Sequence, residues 1–138
     1  EIDEVCLWIH TEYRKKEGLS DYKFYCFNGE PKIIMINSDR EIGKTKADYF
    51  DMDFNWLDIK WGYEHAAVKP LKPTNFEKMK ELAAILSKDI PELRVDFYEA
   101  NNKIYFGELT FFDGSGFDKI EPKEWDKMFG DWIELPKK

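Results

Sequence analysis

The chain has 138 residues, 43% of them hydrophobic and 17% aromatic, which is enough length and apolar content to bury one ordinary core as a single domain. Its 28 acidic residues outnumber 21 basic ones, the net charge is -7, and no run of Lys and Arg is dense enough to track a phosphate backbone, so the composition argues against nucleic acid as a partner. Cys6 and Cys26 lie among large apolar neighbours rather than in a disulfide or metal pattern, no apolar stretch approaches the roughly 18 residues of a bilayer span, and no basic start leads into an apolar run; a cytoplasmic protein in a reducing compartment is expected.

In chain order, Val5, Ile9 and Tyr13 fall on one helical stripe, which predicts a first helix over 3–16 with Gly18 beyond its end. Residues 21–27 and 32–36 read as strands joined at Asn28-Gly29, a pair suited to the two left-handed positions of a type I′ turn. Over 38–55 neither period fits, which predicts a long loop, and 56–61 reads as a further strand. Pro70 and Pro73 stiffen the connector 69–73. Phe76, Met79, Leu82, Ala83, Leu86 and Ile90 recur at helical spacing, so a helix is predicted over 74–90, capped by Thr74 or Asn75 and stopped by Pro91.

Aromatic and β-branched residues at 94–99 and 104–111 predict a second antiparallel pair across 100–103. A glycine-rich turn follows at 113–116, then a short helix over 123–128, and the tail closes with Trp132, Ile133 and Leu135. There is no internal repeat and no low-complexity tract.

The chemistry concentrates in the second pair. Side chains alternate along a strand, so Arg94, Asp96 and Tyr98 share one face, and Ile104, Phe106, Glu108 and Thr110 share one face of the next strand. A two-residue loop at Asn101-Asn102 would set Asp96 against Gly107 and send Glu108 to the opposite face; a three-residue loop over 101–103 would set Asp96 directly against Glu108. Two opposed carboxylates repel unless a cation or shared proton lies between them, so the second register reads chiefly as a metal site. With no His or Cys nearby, the donors suit Mg²⁺, with Arg94 on the same face to clamp a phosphoryl oxygen. Gly107 leaves room for a ligand or another strand to approach.

Taken together, residues 21–29 (DYKFYCFNG), 38–40 (SDR), 49–56 (YFDMDFNW), 94–99 (RVDFYE), 103–111 (KIYFGELTF) and 114–116 (GSG) resemble, in order and spacing, the TupA-like ATP-grasp family. The resemblance implies an α+β fold, an antiparallel sheet covered by helices, and the carboxyl-terminal subdomain of an ATP-grasp ligase. It implies ATP and Mg²⁺ as cofactors, and formation of an acyl phosphate that an amine captures, in teichuronopeptide-like polysaccharide biosynthesis. A nucleotide and a carboxylate or sugar-polymer acceptor are the implied partners. By the same resemblance Asp96, Glu108 and Thr110 take the metal positions, with Thr110 where such enzymes carry asparagine. Arg94 and Arg40 fall on phosphates, Asp21 resembles the ribose contact, and Lys23, Arg40, Lys44 and Lys46 join the nucleotide-binding set. The upstream nucleotide-covering subdomain has no counterpart before about residue 20, so a single, partial ATP-grasp domain is expected.

Plainer readings stand beside these. Asp51 and Asp53 form a D-x-D, the pattern with which many glycosyltransferases hold a metal-bound sugar nucleotide, but one that recurs by chance. Lys44 and Lys46, taken singly, read as solvated loop charges, and His10 and His65 as surface or structural residues. A catalytically silent binding domain that keeps the fold is the reading from another class. The architecture expected is one in which the strands carry the nucleotide face and helices 3–16 and 74–90 cover the other.

Overall fold

Asn28 and Gly29 take φ values of 52 and 83, the left-handed pair a type I′ turn needs, and through them β1 (Asp21–Phe27) runs antiparallel into β2 (Glu30–Ser38). The computed structural model describes residues 20–38, 45–111 and 120–133; the expected helix 3–16, Arg40, Lys44 and the 113–116 turn lie outside them. Residues 38–55, expected as a loop, contain β3 (Lys46–Asp51), paired antiparallel with β2 from Ser38 and Lys46 to Ile33 and Asp51. Ala47, Asp48, Tyr49 and Phe50 are all buried, so β3 is covered on both faces and has no polar and apolar alternation to reveal it.

At the end of β3 the chain folds back through a turn organised by Asp51. Its carboxylate accepts from the backbone N–H of Asp53 (2.9 Å) and Asn55 (2.8 Å) and from the Asn55 side-chain amide (3.0 Å). Phe54 adopts φ 61 there, a costly conformation for a bulky residue, held by stacking on Phe50 at 4.0 Å between ring centroids. The following strand, β4 (Trp56–Leu57), is only two residues long, shorter than the expected 56–61; Lys60 is instead bridged to Glu121.

Helix α1 (Phe76–Leu86) is shorter than the expected 74–90. Asn75 stands at its N-cap, but its side chain donates to the Asn102 carbonyl, and the leading N–H groups of Thr74 and Asn75 are taken by the Glu99 carboxylate at 3.1 and 2.8 Å. At the far end the Ser87 hydroxyl donates back to the Ala83 carbonyl (2.7 Å) and Asp89 turns left-handed at φ 63, which stops the helix before Pro91 is reached. Two further strands, β5 (Leu93–Ala100) and β6 (Lys103–Thr110), and a helix α2 (Lys123–Trp132) follow; α2 is one turn longer than expected.

Among the described residues the strands form one antiparallel sheet in the order β4-β3-β2-β1-β5-β6, and the two helices give it an α+β composition dominated by sheet. On one face Phe24, Cys26, Ile34, Ile36, Val95 and Phe97 pack against Phe76, Met79 and Ala83 of α1. On the other, Tyr25, Phe27, Ile33, Met35 and Tyr49 pack against Phe129 of α2. Helices therefore cover part of both faces, not one alone. The reason lies in β1, whose second face changes along the strand from Asp21 and Lys23 to Tyr25 and Phe27: the apolar half needs a cover, and Trp125, Phe129 and Trp132 of α2 provide it. Each fully buried aromatic in these layers contributes about 1.5–3 kcal/mol relative to exposure. Among the described residues no helix is long and apolar enough to cross a membrane.

Candidate functional site

The hairpin of β5 and β6 decides where the carboxylates go. Asn101 and Asn102 both have positive φ (52 and 61), so the loop is the two-residue kind, with Ala100 opposite Lys103 and Phe97 opposite Phe106. That register alone would place Asp96 against Gly107. A β-bulge between Asp96 and Phe97 absorbs one residue of β6, and beyond it Asp96 faces Glu108 and Arg94 faces Thr110. The tight turn and the opposed carboxylates, which looked like alternatives, coexist through the bulge. The same bulge corrects the expectation that Ile104, Phe106, Glu108 and Thr110 share a face: Ile104 and Phe106 pack on the α1 core, whereas Glu108 and Thr110 share the face of Asp96 and Arg94.

Gly107 is required at this point. A Cβ there would lie 2.9 Å from Cε2 of Tyr98 and 3.0 Å from the Asp96 carbonyl oxygen, so what approaches closely is the protein's own neighbouring strand.

The polar half of the face is an ion-pair network. Arg94 donates through Nε to Asp96 Oδ1 (2.8 Å), and through Nη2 to Asp96 Oδ2 (3.0 Å) and to Glu108 Oε1 (2.9 Å). Lys23, directly across from Asp96 on β1, donates to Asp96 Oδ2 at 2.6 Å and lies 3.9 Å from Asp21 Oδ2. The cation between the two opposed carboxylates is thus the Arg94 guanidinium, whose planar fork suits a bidentate carboxylate. Among the described residues three carboxylates stand against two cations, which leaves this part of the cluster one charge negative. Burial is graded across it: the Asp96 side chain is 3% exposed and that of Glu108 61%. Asp96 is the fixed anchor and Glu108 the arm that reaches solvent.

Among the described residues no three His, Cys, Asp or Glu side chains converge as a metal cage. Asp96, Glu108 and the Thr110 hydroxyl are nonetheless a hard-oxygen set of the kind Mg²⁺ takes when phosphates and water complete its shell. The fit has a condition: Asp96 has both oxygens engaged by Arg94 and Lys23, so a cation reaching it must displace the guanidinium.

The other expected site residues fall on both faces of the sheet. Asp21, 1% exposed, belongs to the network. Lys46 pairs with Ser38 at the end of β2, on the α1 side of the sheet and so across it from Asp96, and is bridged to Glu64. In the D-x-D, Asp53 is exposed, and Asp51 has both carboxylate oxygens occupied by its turn. Partial burial opposes ionisation of Asp51, but hydrogen bonds from Asn55 and Asp53 and the charge of Lys80 outweigh it and hold the carboxyl below its usual range. That is the chemistry of a turn anchor.

A second polar knot has no sequence signature, because its members are scattered over residues 47–69 and lack a motif. Asp48, fully buried on the α1 face, accepts from Trp56 Nε1 and from the Ala66 N–H, both at 3.1 Å. His65 lies with Nδ1 3.1 Å from the Ala47 carbonyl and 3.4 Å from Asp48 Oδ1, and with Nε2 3.4 Å from Asp58 Oδ1. Lys69 sits 3.8 Å over the Trp56 ring. This knot bears out His65 as a structural residue and ties the segment after β4 to β3.

No curated protein and no solved structure matches the chain. Residues 2–134 match the family model described as TupA-like ATPgrasp, nearly the whole length, and the opposed Asp96 and Glu108 beside Arg94 lie within that span. The chain therefore belongs to the TupA-like ATP-grasp family.

Proposed function

We propose that the chain is an ATP-grasp ligase-type domain that binds Mg-ATP on the face of Asp96 and Glu108, and that it serves carboxylate–amine ligation in cytoplasmic steps of teichuronopeptide-like cell-surface polysaccharide biosynthesis. The observation that carries this reading is the direct opposition of Asp96 and Glu108 with Arg94 between them, in a chain of this family. In the proposal the sheet is the carboxyl-terminal wall of the nucleotide cleft. Asp96, Glu108 and Thr110 hold Mg²⁺, which supplies charge neutralisation on the phosphates. Arg94 exchanges its carboxylate partners for a phosphoryl oxygen, a swap that suits a guanidinium because phosphate presents the same bidentate geometry. Lys23 holds Asp96 in place, and Asp21 lies toward the ribose. Arg40 and Lys44 remain proposed phosphate contacts from the same family pattern, whereas Lys46, on the other side of the sheet, is assigned no such role.

Calorimetric titration with ATP, with and without Mg²⁺, tests the reading. Binding that needs Mg²⁺ and weakens about tenfold or more in Glu108→Gln, a loss of about 1.4 kcal/mol, is the expected result. Absence of binding, or binding indifferent to both Mg²⁺ and Glu108, would mean a silent binding domain instead.

A further inference from the structure

On the sheet face away from Asp96 lies a half-open cavity of about 500 Å³, within the size range of small-molecule sites. Its floor is Tyr22 and Ser38, which stand at the open ends of β1 and β2, with Ser20 beside them; its rim is the segment that carries Ala66, Ala67, Val68, Pro70 and Leu71. The rim is held at both ends. At its start the Ala66 N–H donates to the buried Asp48, further along Lys69 packs on Trp56 and Pro70 stiffens the chain, and beyond it Pro73 stiffens the chain again and Glu99 takes the N–H groups of Thr74 and Asn75. The cavity is therefore preformed, and Ala66 and Ala67 keep it open by the smallness of their side chains.

The lining has a definite chemistry. Among the described residues that line it none carries a formal charge, three carry hydroxyls (Ser20, Tyr22 and Ser38), and the rest offer aliphatic surface. Among the described residues Ser38 Oγ is buried with no hydrogen-bond partner, an uncommon state for a native hydroxyl and one that a ligand or water resolves. Burial, and secondarily the charge of Glu99, push the Tyr22 hydroxyl up to about 12, so it remains a neutral donor throughout the physiological range. A phosphate or carboxylate would find no counter-charge among these groups, and a purely apolar ligand would leave the hydroxyls unpaired.

We infer that this cavity binds an uncharged, polyhydroxylated ring, the chemistry of a neutral sugar unit, with its hydroxyls on Ser38 and Tyr22 and its C–H face on Ala66, Ala67 and Val68. The inference is independent of nucleotide binding, since the cavity and the Asp96 network occupy opposite faces of the sheet.

Amide resonances of the full chain, titrated with glucose, N-acetylglucosamine, glucuronate and adenosine, test it. Glucose or N-acetylglucosamine at millimolar concentration is expected to shift the amides of Ser20, Tyr22, Ser38 and residues 66–71. Glucuronate should bind more weakly. Affinity should fall about tenfold in Ser38→Ala, which removes the orphaned hydroxyl, and in Ala67→Leu, which fills the cavity from an exposed position, and should be unchanged in Glu108→Gln. Absence of shifts with either neutral sugar, shifts that survive both cavity variants, or preference for adenosine or glucuronate would each overturn the inference.

Discussion

Arg94 Nη2 lies 3.0 Å from Asp96 and 2.9 Å from Glu108, so one guanidinium group bridges two carboxylates that face each other across β5 and β6. Without it, Asp96 would keep Lys23 but lose its bidentate partner, and the two acids would repel. Arg94→Met is therefore expected to lower stability by about 2 kcal/mol, most of it from the buried Asp96. Added Mg²⁺ should restore part of the melting temperature in the variant and little in the unaltered protein, where the cation must compete with Arg94. A variant whose melting curve ignores Mg²⁺ would rule out the pair as a cation site.

Gly107 sets this opposition. Alanine there must push its Cβ into the Tyr98 ring or the Asp96 backbone, at 2.9 and 3.0 Å. Overpacking of this kind costs about 1–3 kcal/mol, so Gly107→Ala should show a clear fall in the denaturant midpoint. Because the bulge carries the register, Mg-dependent ATP binding should fall with it even where the protein is still folded. Equal stability and equal binding in the variant would mean that the bulge can move without consequence.

Both hairpins are legible in sequence, the first down to its turn, since Asn28-Gly29 names its own geometry; at the second the sequence leaves a two- and a three-residue loop open, and the positive φ of both Asn101 and Asn102 decides for the shorter. The heptad-like run from Phe76 to Ala83 gave away α1 for the same kind of local reason. The bulge was not legible, since a glycine in a strand is compatible with several roles and only the partner strand decides among them. β3 was hidden by its burial on both faces and by Asp48, a charge that reads as loop until Trp56 and Ala66 are seen to satisfy it. Sequence alone allows the pairing of Asp96 with Glu108 as one of two registers, but it does not reveal the guanidinium between them, since Arg94 on that face is equally suited to a phosphoryl oxygen. Two residues apart on one strand, Arg94 and Asp96 meet side chain to side chain, a contact that alternation permits and does not require.

Tyr22 links stability to alkaline pH. Its hydroxyl is pushed up from 10.0 to about 12 by burial, with Glu99 adding to the effect. A raised acid favours the folded state only while protonated, so its contribution is complete below pH 10 and is lost between pH 10 and about 12, as the unfolded chain ionises first. The unfolding free energy should therefore decline more steeply in that window than in Tyr22→Phe, by at most about 1.4 kcal/mol per pH unit. Parallel pH profiles for the two proteins would show that the hydroxyl is solvated in the folded state.

Cys26 offers a probe of the α1 core that does not depend on any ligand. It is fully buried between Phe24 and the helix, and burial pushes its thiol up to about 12 in spite of a lowering contact with Ser87. Thiolate is the reactive form, so at neutral pH the native side chain is both shielded and protonated. Alkylation followed by peptide mapping, which separates Cys26 from Cys6, should find Cys26 unmodified in the folded protein and modified at a rate set by opening of the sheet. Denaturant should raise that rate in step with the loss of near-ultraviolet circular dichroism from the surrounding aromatics. Should Cys26 instead label at the rate of a free thiol without denaturant, the packing of β1 against α1 described above would be wrong, and with it the placement of Lys23 beside Asp96, since both depend on the same alternation along β1.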